Sequence, residues 1–530
     1  MKPVHKAKTF KITIFAIAIA IQVLLIIGFI LLFNQYFAAF YGFSIFLSVA
    51  TVIWILNKRE NPAYKIAWII PIMIFPIFGG LFYLFLNGNR TGNKTKEKMN
   101  AIRQQTLECL ETNEEVSERL EREDPDAAKQ SRYIQRYAGY PLFLNEEAEY
   151  LSSGEEKFER LMEELEKAER YIFLEYFIIQ EGLMWNSILE ILKAKAAKGI
   201  DVRVLYDGAG CMETLPFNFI KKLGEYGIKA CVFNPMIPVL SIRLNNRDHR
   251  KIAVIDGVVG FVGGINLADE YINEVNRHGH WKDAAIMLKG KAVWNLMVMF
   301  LSMWNYVSGA NDNPCAYRGE EQCLYCGNSV PEQEKPGGDL HLFAEGPGDG
   351  YIQPFADSPL DDEPVSETVY LNLIYNAQKY IYITTPYLIL DNEMVTALCT
   401  ASKSGVDVRI ITPYHGDKRF VHASTRSYYP ILVESGIKIY EYTPGFIHSK
   451  TIAIDDEYGV VGTINMDYRS LYLHFECGIW MYRSKCICDI RRDFEEIIPI
   501  CKAMTEEELK KTGWIVTLIR SVLRVFAPLL

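Results

Sequence analysis

An internal repeat constrains the fold of this chain more than any other feature of its sequence. Three segments recur in the same order, at offsets of 209, 206 and 209 residues: 171–179 with 380–388, 201–205 with 407–411, and 227–229 with 436–438. The first two pairs are apolar runs of strand length, and the third reads Gly-Ile-Lys in both copies. Because three matches in one order at nearly one offset rarely arise by chance, we expect two homologous halves.

Apolar runs of strand length alternate with helical patterns from Tyr133 onward, which is typical of α/β domains. The sequence therefore predicts an α/β fold with two pseudo-symmetric halves, each a mixed β-sheet flanked by helices. We place the first half at residues 133–312 and the second at residues 365–505. Between them, residues 313–364 are rich in Gly, Pro and acidic side chains, which predicts a loop-rich connection.

Residues 1–90 are predicted to form an all-α transmembrane anchor with two or three apolar segments. Uncharged stretches cover residues 12–33, 36–56 and 66–86. Each is long enough to cross a hydrocarbon core as a helix. A cleaved signal peptide is the alternative for the first stretch, but a second uncharged stretch follows almost directly, which favours retention in the membrane. The third stretch contains two prolines and a Gly-Gly pair, which also suit a re-entrant segment.

Basic clusters that include Lys8, Lys58 and Lys94 flank the three apolar stretches. Lys and Arg are enriched on the cytoplasmic side of membrane helices, so all three clusters are expected there. Three full crossings cannot place them on one side, whereas two crossings and a re-entrant third segment can. We therefore expect a multi-pass protein of the cell membrane with its catalytic body on the cytoplasmic side.

The two segments that border the halves have distinct compositions. Residues 91–132 are rich in Glu, Arg and Gln, which predicts a charged helical linker. Residues 506–530 combine apolar side chains with Arg520 and Arg524, four positions apart. This pattern predicts an amphipathic helix on the membrane surface, with a terminal helix packed on the core as the alternative.

The strongest chemical signal is a motif that occurs once in each half. The copies have identical spacing: His249, Lys251, Asp256 and Asn266 in the first, and His448, Lys450, Asp455 and Asn465 in the second. The residues between Lys and Asp are apolar and rich in Ile and Val, which predicts a buried strand. Side chains alternate along a strand, so His and Lys should share one face while Asp points to the other in a supporting role. A lone His is usually structural, but two copies of the whole pattern favour a catalytic site.

These residue types suit the chemistry of a phosphodiester. Lys251 and Lys450, helped by Asn266 and Asn465, can neutralise the non-bridging oxygens and the charge that develops on them. One His can attack phosphorus and form a phosphohistidine, while the other protonates the leaving oxygen and later deprotonates the incoming hydroxyl. Two histidines are required for this chemistry, which explains why the motif is doubled.

A catalytic imidazole needs a carboxylate on its second nitrogen to fix its tautomer and orientation. Glu476 follows His448 closely and is the candidate for the second half, and Asp283 is the candidate for His249 in the first half. Either acid could instead be an ordinary surface residue, because acidic side chains are mostly exposed. The two copies are nearly symmetric, so their spacing does not order the two histidines.

The doubled His-x-Lys-x4-Asp motif with its Gly-x-x-Asn tail resembles the phospholipase D superfamily. Within it, residues 263–272, 463–470 and 526–530, together with the apolar amino-terminal region, resemble the bacterial cardiolipin synthases. This resemblance implies transfer of a phosphatidyl group from one phosphatidylglycerol to another, which yields cardiolipin and glycerol. It also implies phospholipase D-like halves, membrane lipid as the partner, and no metal or other cofactor. By the same resemblance His249 is the nucleophile and His448 is the acid and base.

Three other functions stay open on the same residues. A phospholipase D-type hydrolase would use them with water as acceptor and release phosphatidic acid. A nuclease is disfavoured, and nucleic acid is not expected as a partner, because 56 Lys and Arg face 65 Asp and Glu, a net charge of −9. A non-catalytic membrane scaffold could keep the fold, but both motifs are complete.

Overall fold

The computed structural model describes residues 24, 27, 28, 37–58, 61–75, 80, 83, 93–235, 246–318, 350–361 and 363–529. Two mixed β-sheets with flanking helices form the body, which confirms the predicted α/β class. Nearly all of the first apolar stretch, residues 12–33, lies outside the described residues.

Two helices precede the body: α1 at Phe37–Asn57 and α2 at Pro62–Ile74. The Asn61 side chain accepts a hydrogen bond from the Ala63 amide and caps α2, whose first residue is a proline. Across the described ranges, no helix combines the length and apolar character that a membrane crossing requires. The transmembrane anchor therefore stays a prediction.

The charged segment that follows is helical, as its composition predicts. It contains α3 at Asn93–Leu107, α4 at Glu114–Glu123, α5 at Pro125–Tyr133 and a π-helical turn at Ile134–Ala138. The side chains of Asn113 and Asp124 cap α4 and α5. Leu120 and Ala127 are fully buried in the largest hydrophobic cluster. The segment therefore packs against the body with its apolar face and is not a free linker.

The first half forms a seven-stranded sheet. Its part of the chain contains β1 Phe143–Leu144, β2 Glu147–Leu151, α6 Gly154–Lys167, β3 Tyr171–Tyr176, α7 Leu183–Ala197, β4 Asp201–Asp207, α8 Phe219–Gly224, β5 Lys229–Phe233, β6 Lys251–Ile255, β7 Val259–Gly263, a 3₁₀ turn Asp269–Ile272, β8 His280–Lys282, β9 Ala285–Lys289, α9 Val293–Ser308 and a 3₁₀ turn Pro314–Tyr317. The strand order is β2-β9-β7-β6-β3-β4-β5. Strands β3, β4 and β5 are parallel and the other pairs are antiparallel.

The second half repeats this arrangement. Its elements are β10 Tyr351–Asp357, α10 Val365–Asn376, β11 Tyr380–Thr384, α11 Asn392–Lys403, β12 Asp407–Pro413, α12 Arg419–Glu434, β13 Lys438–Tyr442, β14 Gly445–Ile447, β15 Thr451–Ile454, β16 Tyr458–Gly462, α13 Tyr468–Tyr472, β17 Glu476–Tyr482, α14 Lys485–Ile497, a 3₁₀ turn Ile498–Ile500 and β18 Cys501–Ala503. The order is β1-β10-β17-β16-β15-β11-β12-β13-β18. Without the edge strands β1 and β18, it matches the first sheet strand for strand.

Strand β10 corrects the sequence-based boundary of the second half. We predicted loops over residues 313–364, yet β10 lies in that segment and pairs with β17 along its whole length. Pro354 argues against a strand because it lacks an amide hydrogen. Here β1 pairs only with Tyr351 and Ile352, so Pro354 faces no partner on that side and its missing donor costs nothing.

Two short pairings join the halves, and both lie beside the repeated His-Lys-Asp motifs. Strand β8 of the first half runs parallel to β14 of the second, with Lys282 opposite Ile447. At the pseudo-symmetric counterpart of this pairing, Asp248 of the first half forms a parallel bridge with Phe475 of the second. The buried helix α9 also contacts both sheets, since Asn295 donates to the Pro354 carbonyl. The halves therefore share one continuous packed interface.

The carboxyl-terminal region contains α15 at Glu506–Lys510, α16 at Trp514–Phe526 and a 3₁₀ turn at Ala527–Leu529. Helix α16 packs against α12, where the Arg524 guanidinium lies 5.0 Å from the Tyr428 ring. Its outer face is apolar and exposed, with Trp514 75% exposed. The helix is thus amphipathic, with one side on the body and one side open.

Candidate active site

The two motif segments occupy equivalent positions in the two sheets. Strand β6 begins at Lys251 and the first strand of the second motif, β15, begins directly after Lys450. Every residue of both strands is buried, which confirms the prediction from their apolar sequence. Each strand is followed directly by an Asp in the left-handed backbone region, Asp256 with φ 54° and Asp455 with φ 59°.

The two Asp side chains bind the backbone rather than the cleft. Asp256 accepts hydrogen bonds of 2.8 Å from the amides of Glu169, Arg170 and Tyr171. Asp455 accepts three equivalent bonds from the amides of residues 378–380. These bonds tie the end of the motif strand to the start of the neighbouring strand. These contacts fit the supporting role predicted from side-chain alternation, and that role stays a prediction.

Each motif histidine is paired with a carboxylate from the opposite half. The His249 Nδ1 lies 2.9 and 3.0 Å from the two oxygens of Glu476, and the His448 Nδ1 lies 2.7 Å from Asp283 Oδ2. Both carboxylates are completely buried. Both predicted carboxylates therefore contact a motif histidine. The pairing expected from the sequence, within each half, is wrong.

Backbone hydrogen bonds across the interface cause this crossing. The His249 amide donates to the Phe475 carbonyl at 3.0 Å, and the His448 amide donates to the Lys282 carbonyl at 2.7 Å. Each histidine therefore lies beside the residue that precedes the opposite carboxylate. Because these segments run parallel, Glu476 and Asp283 are brought level with the two imidazoles.

The pairing leaves one nitrogen of each imidazole available for chemistry. With Nδ1 held by a carboxylate, Nδ1 carries the proton and Nε2 is the free base. Burial, with the charges of Lys251 and Lys450, holds the pKa of His249 well below its usual range. Burial also lowers the pKa of His448 to about 4, while Asp283 opposes the shift. Both imidazoles are therefore neutral near pH 7 when no anion is bound.

The two motif lysines are among the most deeply buried charged side chains of the described residues. Burial lowers the pKa of Lys251 to about 8 and that of Lys450 to about 7, although Glu476 and Asp283 favour their charged forms. Each Nζ donates to the carbonyl of the His two residues earlier. A bound phosphate would place a negative charge beside these lysines and so favour their protonated, ammonium forms.

The two motif asparagines differ in their partners. Asn266 Oδ1 accepts from the Ile178 amide at 2.9 Å, and its Nδ2 donates to the Tyr271 hydroxyl at 2.6 Å. The Asn465 Oδ1 is buried and has no hydrogen-bond partner among the described residues. Both asparagines line the same cleft as the histidines, as predicted.

This cleft has a volume of about 930 Å³ and contains both histidines. Four basic side chains that sequence reasoning missed also line it: Arg247, Arg277, Lys418 and Arg469. They supply local positive charge in a chain whose net charge is −9. Their spacing shows no repeat between the halves, so only the folded structure identifies them.

Two groups of described residues have side-chain ligand atoms close enough together to hold a metal ion. They are His249, His474 and Glu476 in the cleft, and Glu367, Asp391 and Glu393 outside it. In the first group, His249 is already within hydrogen-bond distance of the carboxylate. In the second, Asp391 accepts from the hydroxyl of Tyr472.

Comparison with known proteins agrees with this site. The family model described as the cardiolipin synthase, phospholipase D-like domain matches residues 161–304 and 370–498, which contain both motifs. The model of the phospholipase D-nuclease amino-terminal region matches residues 46–86. The chain belongs to the cardiolipin synthase family of the phospholipase D superfamily.

Individual relatives of this cardiolipin synthase family member cover most of its length. A cardiolipin synthase of Halalkalibacterium halodurans is 34% identical, over 92% of this chain and 94% of that protein. An uncharacterized protein of Streptococcus mutans is 41% identical, over 91% of this chain and its own whole length. The crystal structure of a Haemophilus influenzae phosphatidylserine synthase, 16% identical, covers 76% of this chain and all of its own with a TM-score of 0.55. This last likeness shows a shared fold. Family membership identifies the chain as a transferase enzyme, a phosphatidyltransferase.

Sequence reasoning also missed two aromatic neighbours of the motif histidines in this phosphatidyltransferase. The Trp281 ring lies 5.3 Å from the His448 ring, and the His474 ring lies 5.5 Å from the His249 ring. Each stands two positions before the carboxylate that binds the same histidine. This shared spacing to the carboxylate could have identified both residues from the sequence.

Proposed function

We propose that this enzyme is a cardiolipin synthase that uses two molecules of phosphatidylglycerol. A phosphatidyl group passes from one molecule to the other, and the products are cardiolipin and glycerol. The observation that carries the proposal is one cleft lined by both histidines, each bound to a buried carboxylate and each with its carbonyl bound by a buried lysine. One imidazole can attack phosphorus while the second manages the proton.

The first half-reaction forms a covalent intermediate. The Nε2 of His249 attacks the phosphorus of phosphatidylglycerol, and the bond from phosphorus to the glycerol oxygen breaks. The leaving glycerol oxygen takes a proton from the Nε2 of His448, which is protonated once the anionic substrate is bound and acts as the general acid. Lys251 and Lys450 stabilise the charge on the non-bridging oxygens, with Asn266 and Asn465. Glycerol leaves and a phosphatidyl–His249 enzyme remains.

The second half-reaction uses the same groups in reverse order. A hydroxyl of the second phosphatidylglycerol loses its proton to His448 as its oxygen attacks phosphorus, and the bond to His249 breaks. Glu476 and Asp283 keep each imidazole in the tautomer that these steps require. Both lipid substrates are membrane components, so the cleft must open towards a bilayer.

The apolar surface of the described residues supports a location on the membrane. Helices α1, α2 and α16 expose Phe46, Met73 and Trp514, among other large apolar side chains. Helix α2 contacts α16, and Tyr64 of α2 stacks on Tyr468 of the cleft with ring centroids 5.3 Å apart. We propose a multi-pass membrane protein whose catalytic body faces the cytoplasm. A carboxyl-terminal fluorescent-protein fusion should fluoresce in bacteria, and a fusion active only as an exported reporter would contradict this orientation.

One incubation tests the reaction. Detergent-solubilised full-length enzyme is mixed with phosphatidylglycerol, and the lipid products and free glycerol are separated. We expect cardiolipin and an equal amount of glycerol, and neither product from His249→Ala or His448→Ala. Phosphatidic acid in place of cardiolipin would identify water as the acceptor and the enzyme as a hydrolase.

A further inference from the structure

The two catalytic histidines have different neighbours although the halves are otherwise pseudo-symmetric. His474 packs beside His249, whereas the equivalent residue beside His448 is Trp281. An imidazole can carry a proton and an indole cannot. The two halves therefore share a ring contact at this position, but only on the His249 side is that ring a second imidazole.

The two carboxylates also differ in the groups that contact them. Glu476 accepts a hydrogen bond from the Thr463 hydroxyl in addition to its contacts with His249, and the His474 Nδ1 lies 3.6 Å from its Oε1. Asp283 binds His448 and the Ala284 amide. Glu476 thus faces two imidazoles and Asp283 faces one.

His474 is placed to interact with Glu476 in particular. Its Nδ1 is buried and has no hydrogen bond within the described part of the chain, and Glu476 is the carboxylate within reach. The other charged groups nearest to it are Arg469 and, when protonated, His249. Its ring also borders a neighbouring cavity of about 640 Å³, whose charged lining residues are Lys58, Lys96, Asp357, Asp361, Glu363, Glu367 and Glu393. Burial lowers the pKa of His474 to about 4.

We propose that His474 is a positioning residue that shares the Glu476 carboxylate with His249 and so limits the protonation of His249. A carboxylate with one imidazole stabilises the imidazolium form of that ring. When a second imidazole uses the same single negative charge, a proton on either ring disfavours a proton on the other. His249 itself is faced by Lys251, Lys450, His448 and Lys418, whose positive charges act in the same direction.

This arrangement matches the roles in the proposed function, on which the inference rests: His249 is the nucleophile and His448 is the general acid and base. A nucleophile must be neutral to attack phosphorus, so a neighbour that opposes protonation extends its working range towards acid pH. A general acid must hold a proton, and beside His448 the position equivalent to His474 is occupied by the uncharged Trp281. The structure therefore distinguishes the two histidines where the motif spacing cannot.

The test is the pH dependence of the first half-reaction in full-length, detergent-solubilised enzyme. Rapid quenching measures the burst of glycerol released from phosphatidylglycerol between about pH 4 and 8. His474→Asn keeps a donor for Glu476 but cannot be protonated, and His474→Phe keeps only the ring. We expect both variants to move the acid limb of the burst rate to higher pH by about one unit. Trp281→Phe, the matched control in the other half, should leave the position of that limb unchanged.

The outcomes separate this inference from the proposed function. If wild-type enzyme shows a glycerol burst but the acid limb stays in place in His474→Asn, the shared-carboxylate role is refuted, even if the rate falls equally at every pH. An equal shift in Trp281→Phe would attribute the effect to aromatic packing and refute it also. If wild-type enzyme shows no burst, the proposed function itself fails. Should His474→Phe not fold, the result for His474→Asn decides.

Discussion

Removing the carboxylate of Asp256 should destabilise the protein without removing its chemistry. This side chain accepts three backbone hydrogen bonds of 2.8 Å and does not line the cleft that contains both histidines. Each such bond contributes about 1 kcal/mol net, so Asp256→Ala should cost about 3 kcal/mol. Alanine also tolerates the φ of 54° poorly, which adds to the loss. Asp256→Asn keeps an acceptor and the left-handed conformation and should cost less.

Thermal unfolding of the full-length enzyme in detergent, followed by intrinsic fluorescence, measures this effect. A loss of about 3 kcal/mol corresponds to a decrease in Tm of about 6 to 12 °C for a half of this size. Asp455→Ala should lower Tm further, because Asp455 is more deeply buried and its three bonds are as short or shorter. Glu190→Ala, which removes an exposed ion pair with Lys193, should change Tm little.

The activity of the same variants decides the role of the motif Asp. Well below the transition, Asp256→Ala should still release glycerol in a burst and form cardiolipin. A variant with wild-type Tm and no burst would show that Asp256 acts directly on the reaction. That result would refute the structural role argued from its backbone bonds.

Three further predictions concern the carboxylates and the buried imidazoles. Asp283→Asn should lower the turnover number about a hundredfold or more in the lipid assay, with vesicle binding unchanged, because His448 loses its charged partner; a smaller loss would mean that the pairing does not matter. Gly264→Ala should cause a comparable loss, since an added Cβ would lie 2.1 Å from Asp283 Oδ1, and wild-type turnover would contradict this contact. Burial lowers the pKa of His448 and His474 to about 4 from 6.5, so the unfolded chain binds these protons first. The contribution of these imidazoles to the free energy of unfolding should be fully present above about pH 6.5. It should fall by up to about 3 kcal/mol per imidazole as the pH decreases to about 4. Melting curves of His474→Asn should show a shallower decline, and an identical decline would rule out this contribution.

Much of the fold follows from local sequence pattern. The apolar run after Lys251 predicted the buried strand β6, and alternation along it predicted that Asp256 points away from the cleft. The repeat predicted a second sheet of the same order. Strand β10 was not predicted because its sequence contains Pro354. The proline is tolerated because the short strand β1 pairs only with Tyr351 and Ile352, which the sequence pattern does not show.

The sequence alone determined which residue types form the site and how often they occur. It identified two complete His, Lys and Asn sets, and it named both carboxylates that the histidines use. Only the tertiary structure decided which carboxylate serves which histidine. Glu476 is 227 residues from His249, and Asp283 is 165 residues from His448. Spacing along the chain predicts contacts within a strand or a helix turn, whereas these contacts depend on two parallel backbone pairings between the halves.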